Sequence, residues 1–169
     1  MKEEINGNAL VELIGLEASN EKVLEVFTAL DMDMPLFDEQ FEFDGRIAVY
    51  DNDETLNIAF VKNKGIDNIG EPIVEQVDFY NENKVPFPLG LHKNDDYETV
   101  IKKLGRKPDF CDNVLDTFKQ WVFQYKDKEI TYCVQFKKGF KSINTIVVSK
   151  FNRESVEKSE FVFPCSELE

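Results

Sequence analysis

Two stretches of this chain carry the same apolar spacing, 74 residues apart. Val23, Val26, Phe27 and Leu30 stand at i, i+3, i+4 and i+7, and so do Tyr97, Val100, Ile101 and Leu104. That spacing is one stripe of an amphipathic helix, so each half is expected to hold one. A Gly-Leu pair precedes each, in Ile14-Gly15-Leu16 and Leu89-Gly90-Leu91. Each opens on a polar cluster suited to capping, Ser19-Asn20-Glu21 and Asn94-Asp95-Asp96. Asp95 and Glu98 have capping-box spacing, and Lys102, Lys103 and Gly105 suit the second helix's end. Pro35 and Pro108 follow the two helices.

Strand patterns follow each helix. In the first half strands are expected at Gln40–Phe43, Arg46–Tyr50, Thr55–Lys62 and Ile73–Tyr80. Turns are expected at Asp44-Gly45, a strong hairpin signal between apolar runs, and at Asp51–Glu54. Asn63–Pro72 reads as irregular. The second half repeats the order with Lys119–Tyr125, a turn at Lys126-Asp127, Glu129–Lys137 and Ser142–Lys150. Phe41-Glu42-Phe43 aligns with Trp121-Val122-Phe123, and Ile58-Ala59-Phe60 with Val134-Gln135-Phe136. The expected fold class is α+β: two tandem helix-plus-antiparallel-meander repeats, 1–85 and 86–169, linked by Asn81–Pro88 and forming one compact domain. The meanders are expected to join into one sheet, covered by helices on one face and open on the other. Phe161, Val162 and Phe163 in the C-terminal tail could add a strand.

Alternation then assigns side chains to faces. Phe41, Phe43, Val77 and Phe79 are expected to point at the helices, and Glu42, Gln76, Asp78 and Tyr80 away from them. Trp121, Phe123 and Tyr125 oppose Gln120 and Gln124, while Tyr132 and Phe136 oppose Thr131 and Gln135. An outward face of Glu, Asp, Gln and Tyr suits protein binding.

Charge is divided unevenly between the halves. Residues 1–85 hold 6 Lys/Arg and 20 Asp/Glu, a balance of −14, whereas residues 86–169 hold 14 and 13, a balance of +1. Such a first half repels nucleic acid and anionic membranes and attracts basic surfaces. A hydrophobic content of 42% is enough for a packed core and argues against disorder. No apolar run is long enough to span a bilayer, and the start Met1-Lys2-Glu3-Glu4 has no secretory pattern. Cys111, Cys133 and Cys165 are few, odd in number and widely spaced, so reduced thiols in a cytoplasmic protein are expected.

Signatures of catalysis and of metal or cofactor binding are missing. The one histidine, His92, has no Ser or Cys tied to it by a recognisable motif. There is no Cys-x-x-Cys, His-x-x-x-His or Gly-rich phosphate loop. Asp51-Asn52-Asp53-Glu54-Thr55 begins like a calcium loop, but Leu56 and Lys62 stand where Gly and Glu belong. Asp31-Met32-Asp33 fails likewise at Leu36. Basic and aromatic residues interleave in Lys119–Lys141, as on single-strand-binding surfaces, but beside a strongly acidic half. No cofactor, metal, nucleic acid or membrane partner is therefore expected, and the chain does not read as an enzyme.

The pattern of Gly-Leu, short capped helix and antiparallel meander resembles the tandem-repeat fold of the beta-lactamase inhibitory protein and its relatives. Pro88-Leu89-Gly90-Leu91-His92-Lys93-Asn94-Asp95, with Val100, Leu104-Gly105-Arg106-Lys107-Pro108 and Trp121, carries most of the likeness. Small acidic immunity proteins of bacterial polymorphic-toxin and contact-dependent growth inhibition systems include similar chains. The resemblance implies an antitoxin-like inhibitor that binds the C-terminal domain of a cognate toxin. A nuclease toxin would offer a basic, phosphate-binding cleft for carboxylates to occupy. The candidate charged set is Asp31, Asp33, Asp38, Glu39, Glu42, Asp44, Asp51, Asp53, Glu54 and Asp78, with Tyr50 and Tyr80 as anchors. Two other classes stay open: a non-inhibitory adaptor of the same fold, and a hydrolase using paired carboxylates.

Overall fold

Asn20 opens the first of the two expected helices. Its side chain accepts the Lys22 N–H at 3.0 Å, and α2 runs over Glu21–Ala29. The second, α4, runs over Tyr97–Leu104 and ends at Gly105. Its cap is Asp96, which accepts the Thr99 N–H at 2.8 Å, and not Asp95. Asp95 instead accepts the His92 N–H and pairs with Lys103, both at 2.7 Å. A short α1, Gly7–Val11, precedes them. Gly7 lies so close to the Pro86–Pro88 backbone that a Cβ would stand 2.3 Å from the Pro88 nitrogen. The computed structural model describes residues 4–63, 70–112, 118–125, 128–137, 139–150 and 162–164, with the backbone alone at 112, 118–125, 128 and 162–164.

The strands form one antiparallel sheet of eight in the order β1-β2-β3-β7-β6-β5-β4-β8. They are β1 (Arg46–Tyr50), β2 (Leu56–Asn63), β3 (Gly70–Phe79), β4 (Phe110–Asp112), β5 (Phe118–Tyr125), β6 (Lys128–Phe136), β7 (Ile143–Lys150) and β8 (Val162–Pro164). Two meanders, β1-β2-β3 and β5-β6-β7, meet where β3 pairs with β7, with Val77 opposite Val148. The short β4 and β8 continue the sheet beyond β5. The class is thus α+β with an antiparallel sheet. Val162 and Phe163 do form a strand; Phe161, the Lys126-Asp127 turn and the side-chain facing of Trp121, Phe123 and Tyr125 lie outside the described residues.

One buried cluster joins helices to sheet. Val23, Val26 and Phe27 of α2 and Val100 of α4 pack with Leu56, Ile58, Phe60, Val77, Phe79, Tyr132, Val134, Phe136, Ile146 and Val148. The strand members alternate, as a period of two requires. Phe27 meets Phe60 at a ring distance of 5.8 Å, and Tyr97 meets Phe136 edge-on at 6.1 Å. Each such side chain contributes about 1.5–3 kcal/mol by leaving water.

The segment expected as the first strand is a helix, α3, over Glu39–Asp44. Asp38 caps it, accepting the N–H groups of Gln40 at 3.1 Å and Phe41 at 3.2 Å. Gly45 ends it in the left-handed region at φ 74°. Asp-Gly signals positive φ in a hairpin turn and in a helix C-cap alike, so the same residues served a different end. The consequence for the phenylalanines is large. Two residues along a helix turn by about 200°, so Phe41 is buried edge-on against Phe37 while Phe43 is 88% exposed. The alignment of Phe41–Phe43 with Trp121–Phe123 of β5 does not hold.

A second correction concerns sulfur. Cys111 of β4 is disulfide-bonded, whereas Cys133 is a thiol outside any disulfide. Three widely spaced cysteines could not show this from sequence. Cys111→Ser is expected to lower unfolding free energy by about 2–4 kcal/mol in oxidised protein. Urea melts with and without dithiothreitol check this, since reductant should bring the wild-type chain down to the variant. Among the described residues no helix is long and apolar enough to cross a membrane.

Candidate functional site

The expected site residues fall into three groups around the edge strand β1. The first lies before it, on and around α3. Glu39 sits in the exposed first turn, Asp44 in the last turn accepts from Gln40 Nε2 at 2.8 Å, and Glu42 pairs with Lys62 of β2. Asp38 is occupied in part by its cap. Asp33 is exposed on the loop that leads from α2. The same segment of the chain exposes two large apolar side chains, Phe43 on α3 and, before it, the 78% exposed Leu36.

The second group is the turn between β1 and β2, at the other end of β1, about 13 Å away by strand rise. Asp51 is not a surface residue there, being only 2% exposed. Its carboxylate accepts the N–H groups of Thr55 and Leu56 at 2.6 and 3.0 Å and the Thr55 hydroxyl at 2.7 Å. Burial pushes its pKa up, but these hydrogen bonds and Lys84 outweigh it and hold the carboxyl below its ordinary range. Lys84 stands 3.9 Å from Asp51 and 3.8 Å from the exposed Asp53. Glu54 turns through positive φ at 53°. Asn52 donates to the backbone carbonyl of Asp31 at 3.2 Å, bringing the loop after α2 to this turn.

The third group is Tyr50, Asp78 and Tyr80, which the sheet brings together on the face turned away from the buried cluster. Tyr50 stacks on Tyr80 with ring centres 6.3 Å apart and planes 15° from parallel. Tyr80 in turn donates to Asp78. Several positions on this face are buried while others, such as Tyr50, are exposed. Asn57, Ala59, Asp78, Thr131 and Thr145, which all turn away from the core, are buried on it.

His92 holds a loop together: its ring nitrogen lies 2.8 Å from a Glu82 carboxylate oxygen whose partner oxygen accepts the Lys93 N–H, also at 2.8 Å. Among the described residues no cluster of His, Cys, Asp and Glu could hold a metal ion. Sequence reasoning missed Leu36, Phe43 and Asn57 as site residues. The run Leu36-Phe37-Asp38 before a capping Asp was the available signal for the first two. No protein-family model, curated protein or solved structure matches this chain.

Proposed function

We propose that this chain is an inhibitor of the immunity-protein kind, which binds a basic toxin domain through the surface along β1 and blocks it. The observation that carries this is the exposure of Leu36 and Phe43 within the 33–44 segment, which also exposes Asp33, Glu39, Glu42 and Asp44. Apolar anchors supply affinity once buried, and the surrounding carboxylates steer a cationic partner and fix its register. Lys62 and Lys84 offset only part of the local charge. The function needs no catalysis, metal or cofactor, and the partner is a protein rather than nucleic acid or a membrane. A nuclease toxin, whose cleft is built for phosphates, fits best.

The scaffold is consistent with a duplicated unit of helix and meander, the two copies joined at β3 and β7 with helices on one face. Gly15 and Gly90, the paired glycines before the two helices, both take positive φ, at 88° and 67°. Neutralisation inside the producing cell makes the cytoplasm the site of action. One observation favours a second site of action: the Cys111 disulfide is typical of oxidising compartments, where an exported inhibitor would meet its target.

The test is to titrate the chain with the basic toxin domain encoded beside it, at about 0.05 M and about 0.5 M salt. Affinity is expected to fall at least about tenfold between the two. A chain with Asp33, Glu39 and Asp44 neutralised should bind more weakly and lose most of that salt dependence. Affinity indifferent to both changes would overturn the charge-guided reading. A bound partner whose activity is unchanged would make the chain an adaptor.

A further inference from the structure

One place on the molecule holds a buried carboxylate with no cation beside it among the described residues and a buried acceptor with no donor. Asn57 is 4% exposed and Asp78 8% exposed, and they stand opposite each other across β2 and β3. Their hydrogen bonds run in one direction. Asn57 Nδ2 donates to Tyr80 Oη at 3.0 Å, Tyr80 donates to Asp78 Oδ2 at 3.3 Å, and Gln76 Nε2 donates to Asp78 Oδ1 at 2.7 Å. This order leaves Asn57 Oδ1 buried with no donor. No Lys, Arg or His among the described residues pairs with Asp78.

Both features call for something from outside. A buried acceptor without a donor is destabilising, and a buried carboxylate without a cation more so. Each Asp78 oxygen already accepts one hydrogen bond and has a lone pair left for another. Beside them Tyr50 and Tyr80 offer stacked aromatic faces, and Tyr50, paired with Asn57 across β1 and β2, is 54% exposed at the rim. The missing group must be positive, must present several N–H donors, and must be flat enough to lie against tyrosine. A guanidinium meets all three requirements, whereas an ammonium meets the first two and lacks the flat face.

We propose that Tyr50, Asn57, Asp78 and Tyr80 form a receptor for a guanidinium group, namely an arginine side chain presented by the partner protein. It rests on the inhibitor reading for its source and deepens it by naming the residue the partner inserts. The guanidinium donates to Asp78 and to Asn57 Oδ1 and packs against the tyrosine pair. Burial first, and then the Asp78 carboxylate, hold the Tyr80 phenol far above its ordinary range. Tyr80 therefore remains a proton donor to Asp78 at neutral pH and does not compete for the incoming cation.

The experiment titrates isotope-labelled full-length chain with N-acetyl-arginine methylamide, N-acetyl-lysine methylamide and free arginine, read by NMR. Saturable shifts of the Asn57 side-chain amide and the Tyr50 and Tyr80 rings are expected with capped arginine. Capped lysine should bind at least about fivefold more weakly, lacking the planar fork. Asp78→Asn and Asn57→Leu should each abolish the shifts, and thermal melts identify whichever variant remains folded. The inference is overturned by no saturable response, by equal response to lysine, or by a folded Asp78→Asn that still binds. Free arginine binding more tightly than the capped form would make the ligand a small molecule and overturn the partner assignment. Capped-arginine binding in a chain that ignores every basic toxin domain supports the receptor and counts against the inhibitor reading alone. A toxin domain bound equally well by a folded Asp78→Asn variant does the reverse.

Discussion

Asp51→Ala is expected to lower the free energy of unfolding by about 3 kcal/mol at neutral pH, the cost of stranding several buried donors at once. One carboxylate closes the whole β1–β2 turn, and its removal leaves two backbone N–H groups and the Thr55 hydroxyl without an acceptor. Lys84 loses its buried partner as well. The effect depends on pH in a definite sense. The folded-state pKa of Asp51 is depressed, so its contribution is fully present above the unfolded value of about 3.9. It is lost as pH falls through the lower, folded value. The stability gap between wild type and Asp51→Ala should therefore be flat from neutral pH down to about 5 and shrink below about 4. Urea unfolding across that range checks it. A gap that persisted in strong acid would mean that the carboxylate charge contributes nothing to the turn.

Asp51 also shows what sequence could and could not reveal about this chain. The turn at 51–54 was legible, and so were β1, β2, β3, β5, β6 and β7, because runs rich in apolar, β-branched and aromatic residues lie between turn signals. The stripes of α2 and α4 were legible for the same reason. The first strand was misread because Phe41 and Phe43 satisfy a period of two as sequence, and six residues are too few to distinguish two periods. The cap at Asp38 and the left-handed Gly45 decided it. Asp95 and Asp96 are adjacent and chemically identical, so only backbone geometry could say which one caps. Within the site, alternation brought Tyr50, Asp78 and Tyr80 into view, since each lies on a strand. It could not show that Asp78 is buried, which depends on what the whole sheet face places around it. Asn57 stayed hidden because a polar residue on a strand reads as solvated, and its stranded oxygen is visible only once Tyr80 and Asp78 are in position. The carboxylates were abundant, and abundance gave no means to separate Asp51, which closes a turn, from Asp33 and Asp53, which face water.

The misread segment yields the sharpest functional test, because its two phenylalanines should behave oppositely. Phe41→Ala opens a cavity beneath α3, where Phe41 packs on Phe37, which in turn meets Phe60. It is expected to cost about 3–5 kcal/mol of stability. Phe43→Ala removes a ring that is 88% exposed and should change stability by no more than about 0.5 kcal/mol. Partner affinity should respond the other way. Loss of the Phe43 ring is expected to weaken binding by about 2 kcal/mol, or roughly thirtyfold, as for an aromatic anchor buried at an interface centre. Unfolding curves and calorimetric titration of the same preparations separate the two effects. A Phe43→Ala chain that binds like wild type would move the interface away from α3. One that unfolds easily would mean that the exposed ring is held by contacts in solution and is not waiting for a partner.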